Sequence, residues 1–373
     1  MKKLMAVFLI AGLCIFAVVA NGSKEDVIKV GAMAPLTGSF AEHGKGFQTA
    51  FEMVIDEVNA NGGINGKKLV MEMNDSEGDQ KKAADIASMY AEDDEYVAMI
   101  GGFSSGCAMA AGPIADEGGL CFVSPTASNI AFTQGSDYCF SIPGISVVEG
   151  QVTGYNCCYE FCNAKSVYIF ALNSDWGVSA LEGCLKGLNK AGIEVLGQDL
   201  FVSGETDFSA MITKAKASNP DLYVILDQSP SILINQIRTF GVKTRIVTYG
   251  PSTSTELISL CGKNAEGLVT IGLTLDLTKD PGKAFAEEFE KRAGFAPTMW
   301  AAYAHVAASL TIDAIKACGN NITREAIRDN VAKTNADYLL GNMQFNEDGN
   351  RYIDTSNSPY KVSVVVDGVW VEQ

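Results

Sequence analysis

Histidine is close to absent: the 373 residues contain only His43 and His305. A serine-based triad would have to draw its base from one of these two. Cations are scarce beside anions, with 28 Lys and Arg facing 44 Asp and Glu, a formal net charge of −16. That balance makes the chain a poor partner for DNA, RNA or an anionic membrane surface. No segment beyond residue 20 reaches about 18 uninterrupted apolar residues, so the rest of the chain is expected to be soluble. The sequence has no G-x-x-x-x-G-K-[ST], no G-x-G-x-x-G after a strand, no H-E-x-x-H and no C-x-x-C. Nucleotide-cradling, zincin and dithiol chemistry therefore lack their usual carriers.

What is present is a globular composition, 47% hydrophobic and 19% charged. The length suits roughly two domains of about 100–200 residues. Residues 1–20 read Met-Lys-Lys and then an apolar run from Leu4 to Ala20. This is the pattern of an export signal, with Val18 and Ala20 small enough to precede a cleavage site. Cys14 follows Leu13, not a small residue, and belongs to the apolar run and not to a lipid-attachment box. Removing Lys2 and Lys3 with this leader takes the net charge to −18. Nine of the ten cysteines remain, an odd number, and the expectation is that most are small buried hydrophobes.

The chain alternates strand-like and helix-like segments. Val27–Met33, Lys68–Met73, Tyr96–Ile100 and Leu120–Val123 read as strands, with helices at Gly46–Asn61, Gln80–Glu92 and Ser105–Glu117. The rhythm restarts with helices at Gly150–Cys162 and Gly177–Ala191 around a strand at Ser166–Ala171, and it continues to Leu273. Pro281 to Ala332 is almost wholly helical, and Asp367-Gly368 joins two final strands as a hairpin. Repeated βαβ units of this kind predict an α/β fold with parallel sheets and helices on both faces, and the two sets of similar layout suggest two similar lobes.

Two strand ends carry polar chemistry. Gly102-Phe103-Ser104-Ser105-Gly106 follows a strand and opens a helix. One reading is an anion site of helix amides and serine hydroxyls. The other is a G-x-S-x-G elbow with Ser104 as the nucleophile of a hydrolase. His43 precedes that serine and His305 lies within a helix, so neither sits where such a triad places its base. A second end, Ser124-Pro125-Thr126-Ala127-Ser128-Asn129, is rich in hydroxyls. Ligands of open α/β sheets bind at such carboxyl ends.

These residues resemble the substrate-binding proteins of ABC transporters, of the leucine/isoleucine/valine-binding type. The matching stretches run in order: Ile28-Lys29-Val30-Gly31-Ala32-Met33-Ala34-Pro35-Leu36-Thr37-Gly38, Asn61-Gly62-Gly63-Ile64-Asn65-Gly66-Lys67, and Ile100-Gly101-Gly102-Phe103-Ser104-Ser105-Gly106. Val123-Ser124-Pro125-Thr126-Ala127-Ser128, Thr206-Asp207-Phe208-Ser209 and Ala265-Glu266-Gly267 follow. The resemblance implies two Rossmann-like lobes, residues 26–145 with 272–354 and residues 146–271 with 355–373, joined by three hinge crossovers near Ile145, Gly272 and Asp354. It implies an exported, periplasmic monomer without cofactor, metal or catalytic activity. Such a protein closes on a small amino acid or related carboxylate and delivers it to a membrane permease. Relatives for amides, urea and aromatic or aliphatic acids, and ligand sensors, share the fold and stay open as readings.

The resemblance also places a site. Ser105 would hold a ligand carboxylate, the Thr126 carbonyl an ammonium, and Ser128 the same head group. His43 and Trp176 would stand at aromatic positions over the ligand. Gln228 replaces a tyrosine, and Gly250 stands where an acid usually pairs the ammonium, flanked by Tyr249. An amine-bearing ligand would then need Asp227 or Asp175 as its counter-charge, because an unpaired buried ammonium costs several kcal/mol. Ser104 completes the expected set.

Overall fold

The computed structural model describes residues 26–38, 40–249, 255–272, 275, 277, 279–352 and 360–373. The leader and Gly250 lie outside the described residues. Five parallel strands form the first sheet: β1 (Val27–Ala34), β2 (Lys68–Asp75), β3 (Tyr96–Gly101), β4 (Cys121–Ser124) and β5 (Cys139–Ser141), in the order β2-β1-β3-β4-β5. Helices α1 (Ala41–Ala60), α2 (Gln80–Glu92) and α3 (Ser105–Glu117) connect them. The alternation of apolar strands and amphipathic helices dictates this arrangement, since each helix must bury its stripe on a sheet face. In α1, Phe47, Ala50, Phe51, Val54, Ile55 and Val58 form that stripe.

After β5 the chain leaves for a second sheet. Helix α4 (Ser146–Val152) continues into a π-helical stretch, Thr153–Phe161. Then come β6 (Ser166–Leu172), α5 (Asp175–Ala191), β7 (Glu194–Phe201), α6 (Ser209–Ser218), β8 (Leu222–Leu226), α7 (Ser231–Thr239), β9 (Arg245–Thr248), α8 (Thr255–Cys261) and β10 (Val269–Gly272). Beyond β10 the chain returns to the first lobe. There α9 (Gly282–Ala293), α10 (Met299–Ala317) and α11 (Arg324–Ala332) pack on it, followed by a small hairpin of β11 (Asn335–Tyr338) and β12 (Gly341–Gln344). Asn350 bridges Ser141 of β5 before the last passage. Finally β13 (Lys361–Val366) and β14 (Val369–Glu372) complete the second sheet, with β13 antiparallel to β10. Its order is β14-β13-β10-β9-β8-β6-β7.

Two details anchor the site. Gly101 ends β3 at φ +133, and a Cβ there would lie 2.0 Å from the Met33 carbonyl. Only glycine fits, which brings the β3–α3 turn close to β1. Helices α4 and α5 also approach closely: a Cβ on Gly183 would lie 1.9 Å from the Val147 carbonyl. Gly183→Val is expected to destabilise the fold by about 3 kcal/mol or more, because backbone and not a yielding side chain blocks the new atoms. Urea unfolding checks this, and a loss below about 1 kcal/mol would mean the helices part freely.

Seven cysteines, 107, 121, 139, 157, 158, 184 and 261, are buried free thiols, while 162 and 318 are partly exposed. Most therefore serve as core side chains, as expected.

Candidate functional site

Between the lobes lies a cleft of about 730 Å³. The first lobe lines it with Phe40, Ser105 and Asn129, and the second with Asp175, Trp176 and Gln228.

On the first side, Ser104 caps α3, its Oγ accepting the Cys107 amide at 3.2 Å. Ser104, Ser105 and Gly106, at the positive end of the helix dipole, line the cleft. Ser105 follows in the first turn and also lines the cleft, and its Oγ accepts the Asn129 amide at 3.3 Å. Thr126 lies deeper. Its Oγ1 donates to the carbonyls of Phe103 (2.7 Å) and Gly102 (3.2 Å), so the two strand-end loops are tied together. The Ser128 carbonyl accepts the Ser146 amide at 2.7 Å, at the passage into the second lobe. Thr126 and Ser128 are both buried and stand behind the lining.

His43 stacks on Phe103, with centroids 4.9 Å apart and planes at 14°. Its Nδ1 is buried without a partner among the described residues. Burial pushes its pKa down to about 4, so the ring is neutral at pH 7. It too lies outside the lining; Phe40, 5.0 Å from Phe103, takes the aromatic place.

On the second side, Ser174 caps α5 by accepting the Gly177 amide at 3.0 Å. Trp176 sits in that first turn and is only 3% exposed, with its ring edge-on to Tyr249 at 4.5 Å. Asp227 and Gln228 follow the end of β8. Gln228 lines the cleft, whereas Asp227 and Tyr249 are buried behind it. The Asp227 carboxylate accepts the Ser229 amide at 3.2 Å, and among the described residues no Lys, Arg or His pairs with it. Burial pushes its pKa up to about 6.

Two bonds bridge the mouth: Asn129 Nδ2 donates to the Asp175 carbonyl at 2.8 Å, and Gln80 Nε2 to Asp175 Oδ2 at 3.3 Å. The lobes are therefore in contact across a polar and aromatic cleft. Among the described residues neither histidine is hydrogen-bonded to Ser104, the nucleophile of the hydrolase reading. His305 lies in α10 against Phe285 (5.2 Å), its Nδ1 3.5 Å from Ser309 Oγ. No group of three or more His, Cys, Asp or Glu among the described residues is placed to hold a metal.

Residues 27–358 match the profile of a family described as periplasmic binding protein. The chain belongs to that family. This binding protein is 31% identical over 347 residues to Leu/Ile/Val-binding protein homolog 1 of Brucella suis biovar 1, covering 91% of this chain and 92% of that one. It is similar in structure to the branched-chain amino acid transporter substrate-binding protein LivJ of Streptococcus pneumoniae in complex with isoleucine. There the TM-score is 0.81 and the identity 25%, over 93% of this chain and 100% of that one. At 19% identity it shares its fold with a solute-binding protein of Rhodopseudomonas palustris BisB5 in complex with 3,4-dihydroxybenzoic acid (TM-score 0.84, covering 94% and 97%). The expected family and the two-lobed α/β fold are thus both found.

Sequence reasoning passed over Phe40, Gln80, Asn129 and the buried Glu149 of α4. Asn129 closes the Ser-Pro-Thr-Ala-Ser-Asn loop, and Glu149 is a lone acid in an apolar stretch, Ile145-Ser146-Val147-Val148-Glu149-Gly150. Each is a signal that could have been weighted.

Proposed function

We propose that this protein is the exported solute-binding component of an ABC importer and that it captures a small amino acid or related carboxylate in the interlobe cleft. The observation that carries this is Ser105 in the first turn of α3, which lines with Trp176 and Gln228 a space that both lobes wall. Helix amides and a hydroxyl suit a carboxylate, and an aromatic wall suits an apolar side chain. Asp227, buried and unpaired by cations among the described residues, is the counter-charge for an ammonium. An amine-bearing ligand would lower its pKa from the raised value by charge pairing. In this reading residues 26–145 with 272–354 and residues 146–271 with 355–373 move as two bodies, and the closed form docks on a permease. Residues 1–20 form the leader, removed near Ala20. The protein works as a monomer without cofactor or catalysis. Among the described residues no helix is long and apolar enough to cross a membrane.

The test is a thermal-shift screen against amino acids, amides and small carboxylates. A ligand at about 100 times its dissociation constant adds about 2.7 kcal/mol of stability. Stabilisation by an α-amino acid that is lost in Asp227→Asn supports the counter-charge. Stabilisation only by acids without an amine moves the ligand class toward simple carboxylates. Ser105→Ala is expected to weaken binding by about 1–3 kcal/mol, because it removes a bond to a charged group. Titration of the variant checks this, and unchanged affinity removes Ser105 from the site.

A further inference from the structure

Phe40 and Gln80 line the cleft from two neighbouring loops of the first lobe. Phe40 ends the passage from β1 to α1, and Gln80 is the first residue of α2. Strands β1 and β2 run parallel, with Ala34 opposite Asp75 at their ends. The Ser76 amide donates to the Ala34 carbonyl at 2.9 Å, so the backbones stay joined up to that point. Beyond it the Asp75 carboxylate ties the two loops together. Its Oδ1 accepts the amides of Leu36 (2.8 Å) and Thr37 (3.3 Å) from the first loop and of Glu77 (2.8 Å) from the second. Its Oδ2 accepts the Thr37 hydroxyl at 2.6 Å. Glu77 stands at φ +52, a region that residues with a side chain seldom enter, and its amide is one of those Asp75 holds.

The turn that Glu77 makes leads to two contacts at the cleft. Gly78 lies against the Phe40 ring: a Cβ there would be 3.3 Å from Phe40 Cδ2. Asp79 then caps α2 by accepting the Lys82 amide at 2.9 Å, which starts the helix at Gln80. Gln80 Nε2 fills the place that a Cβ on Gly106 would take, and it donates to Asp175 Oδ2 of the second lobe. Asp75 itself is half-buried and stands behind the lining.

We propose that Asp75 is a positioning residue of the solute cleft: it fixes the Phe40 wall and the Gln80 rim in one arrangement without touching the solute. This rests on the cleft being the solute site. A carboxylate suits the task because hydrogen bonds to a charged acceptor are about twice as strong as neutral ones. Alanine would leave three loop amides and a hydroxyl to find water instead, and both loops would gain freedom. A wall that must be ordered as the solute arrives costs affinity, whereas a wall held in place beforehand does not.

The test places para-fluorophenylalanine at position 40 and records the fluorine NMR signal of the solute-free protein. Asp75→Ala should shift or broaden that signal. Thr37→Val removes a single donor to the carboxylate and should do the same to a smaller extent, which keeps the test decisive if Asp75→Ala does not fold. A signal unchanged in both variants overturns the proposal. With L-isoleucine and benzoate as probes, Asp75→Ala should raise half-saturation about fivefold in the parent and clearly less in a Phe40→Ala/Gln80→Ala background, because residues that act through one another are not additive. A merely structural role would weaken binding by the same factor in both backgrounds. That result, or unchanged affinity in Asp75→Ala, overturns the proposal. If neither probe binds the parent while the fluorine signal responds as expected, Asp75 still fixes Phe40, and it is the reading of the cleft as an amino-acid or carboxylate site that fails.

Discussion

Trp176→Ala is expected to weaken solute binding by about 2–4 kcal/mol, roughly 30- to 1,000-fold. Few side chains at the cleft offer comparable apolar area. Trp176 is nearly buried by its neighbours before any solute arrives, so its orientation is set in advance. Truncation removes a wall of the cleft and leaves Tyr249 with an open edge. Trp176→Phe should recover part of the loss, since a smaller ring still packs on Tyr249. The ligand-induced change in tryptophan emission should vanish in both variants. Calorimetric titration gives the affinity, and circular dichroism shows that the fold persists. An alanine variant within threefold of wild type would place the solute elsewhere.

Arg324→Ala is expected to cost about 3–4 kcal/mol of stability, the larger of the two effects on the fold itself. The guanidinium opens α11 and donates to five carbonyls of the first lobe: Tyr90 (3.1 Å), Ala91 (2.9 Å), Asp93 (2.7 Å), Tyr96 (2.9 Å) and Gly118 (2.9 Å). These carbonyls end α2, start β3 and end α3, so one side chain gathers three segments. Truncation strands several of these acceptors with partial access to water. Arg324→Lys should fail to rescue, because an ammonium has three donors at one point and cannot span a fork-shaped set. Chemical denaturation of both variants checks this. A loss below about 1 kcal/mol would show that water replaces the guanidinium at little cost.

The two effects differ in how far the sequence announced them. Trp176 follows Asn173-Ser174-Asp175 at the switch from β6 to α5, and the resemblance alone pointed to it. Helices α2 and α3 begin where the sequence suggests because a side chain marks each start: Asp79 and Ser104 each accept an amide of the first turn, as Thr298 and Thr323 do for α10 and α11 within the run expected to be helical. Helix α1 begins five residues before the expected Gly46, and α4 four residues before Gly150, and neither Phe40 nor Ile145 makes a side-chain cap. Strand β5 has only three residues, and β11 with β12 is polar, so none shows a period in sequence.

The long-range chemistry was hidden for a different reason. Arg324 meets carbonyls more than 200 positions away, and Tyr360 meets Glu149 at a separation of 211. Nothing local to Glu149 says that two tyrosines from distant strands will cover it. The same holds for Asn129 and Asp175, which meet only when the lobes do. Residues that act within one turn were legible; residues that act between lobes needed the fold.

The central claim is that one solute binds between the lobes, against Ser105 and Trp176. Isothermal titration of protein stripped of bound solute by unfolding and refolding tests it most directly, with L-leucine, L-isoleucine, L-valine and benzoate as titrants. The account predicts one saturable site per chain for at least one of them, weakened by about 1–3 kcal/mol in Ser105→Ala. Binding of equal strength in Ser105→Ala and Trp176→Ala, or no heat with any titrant, would contradict it.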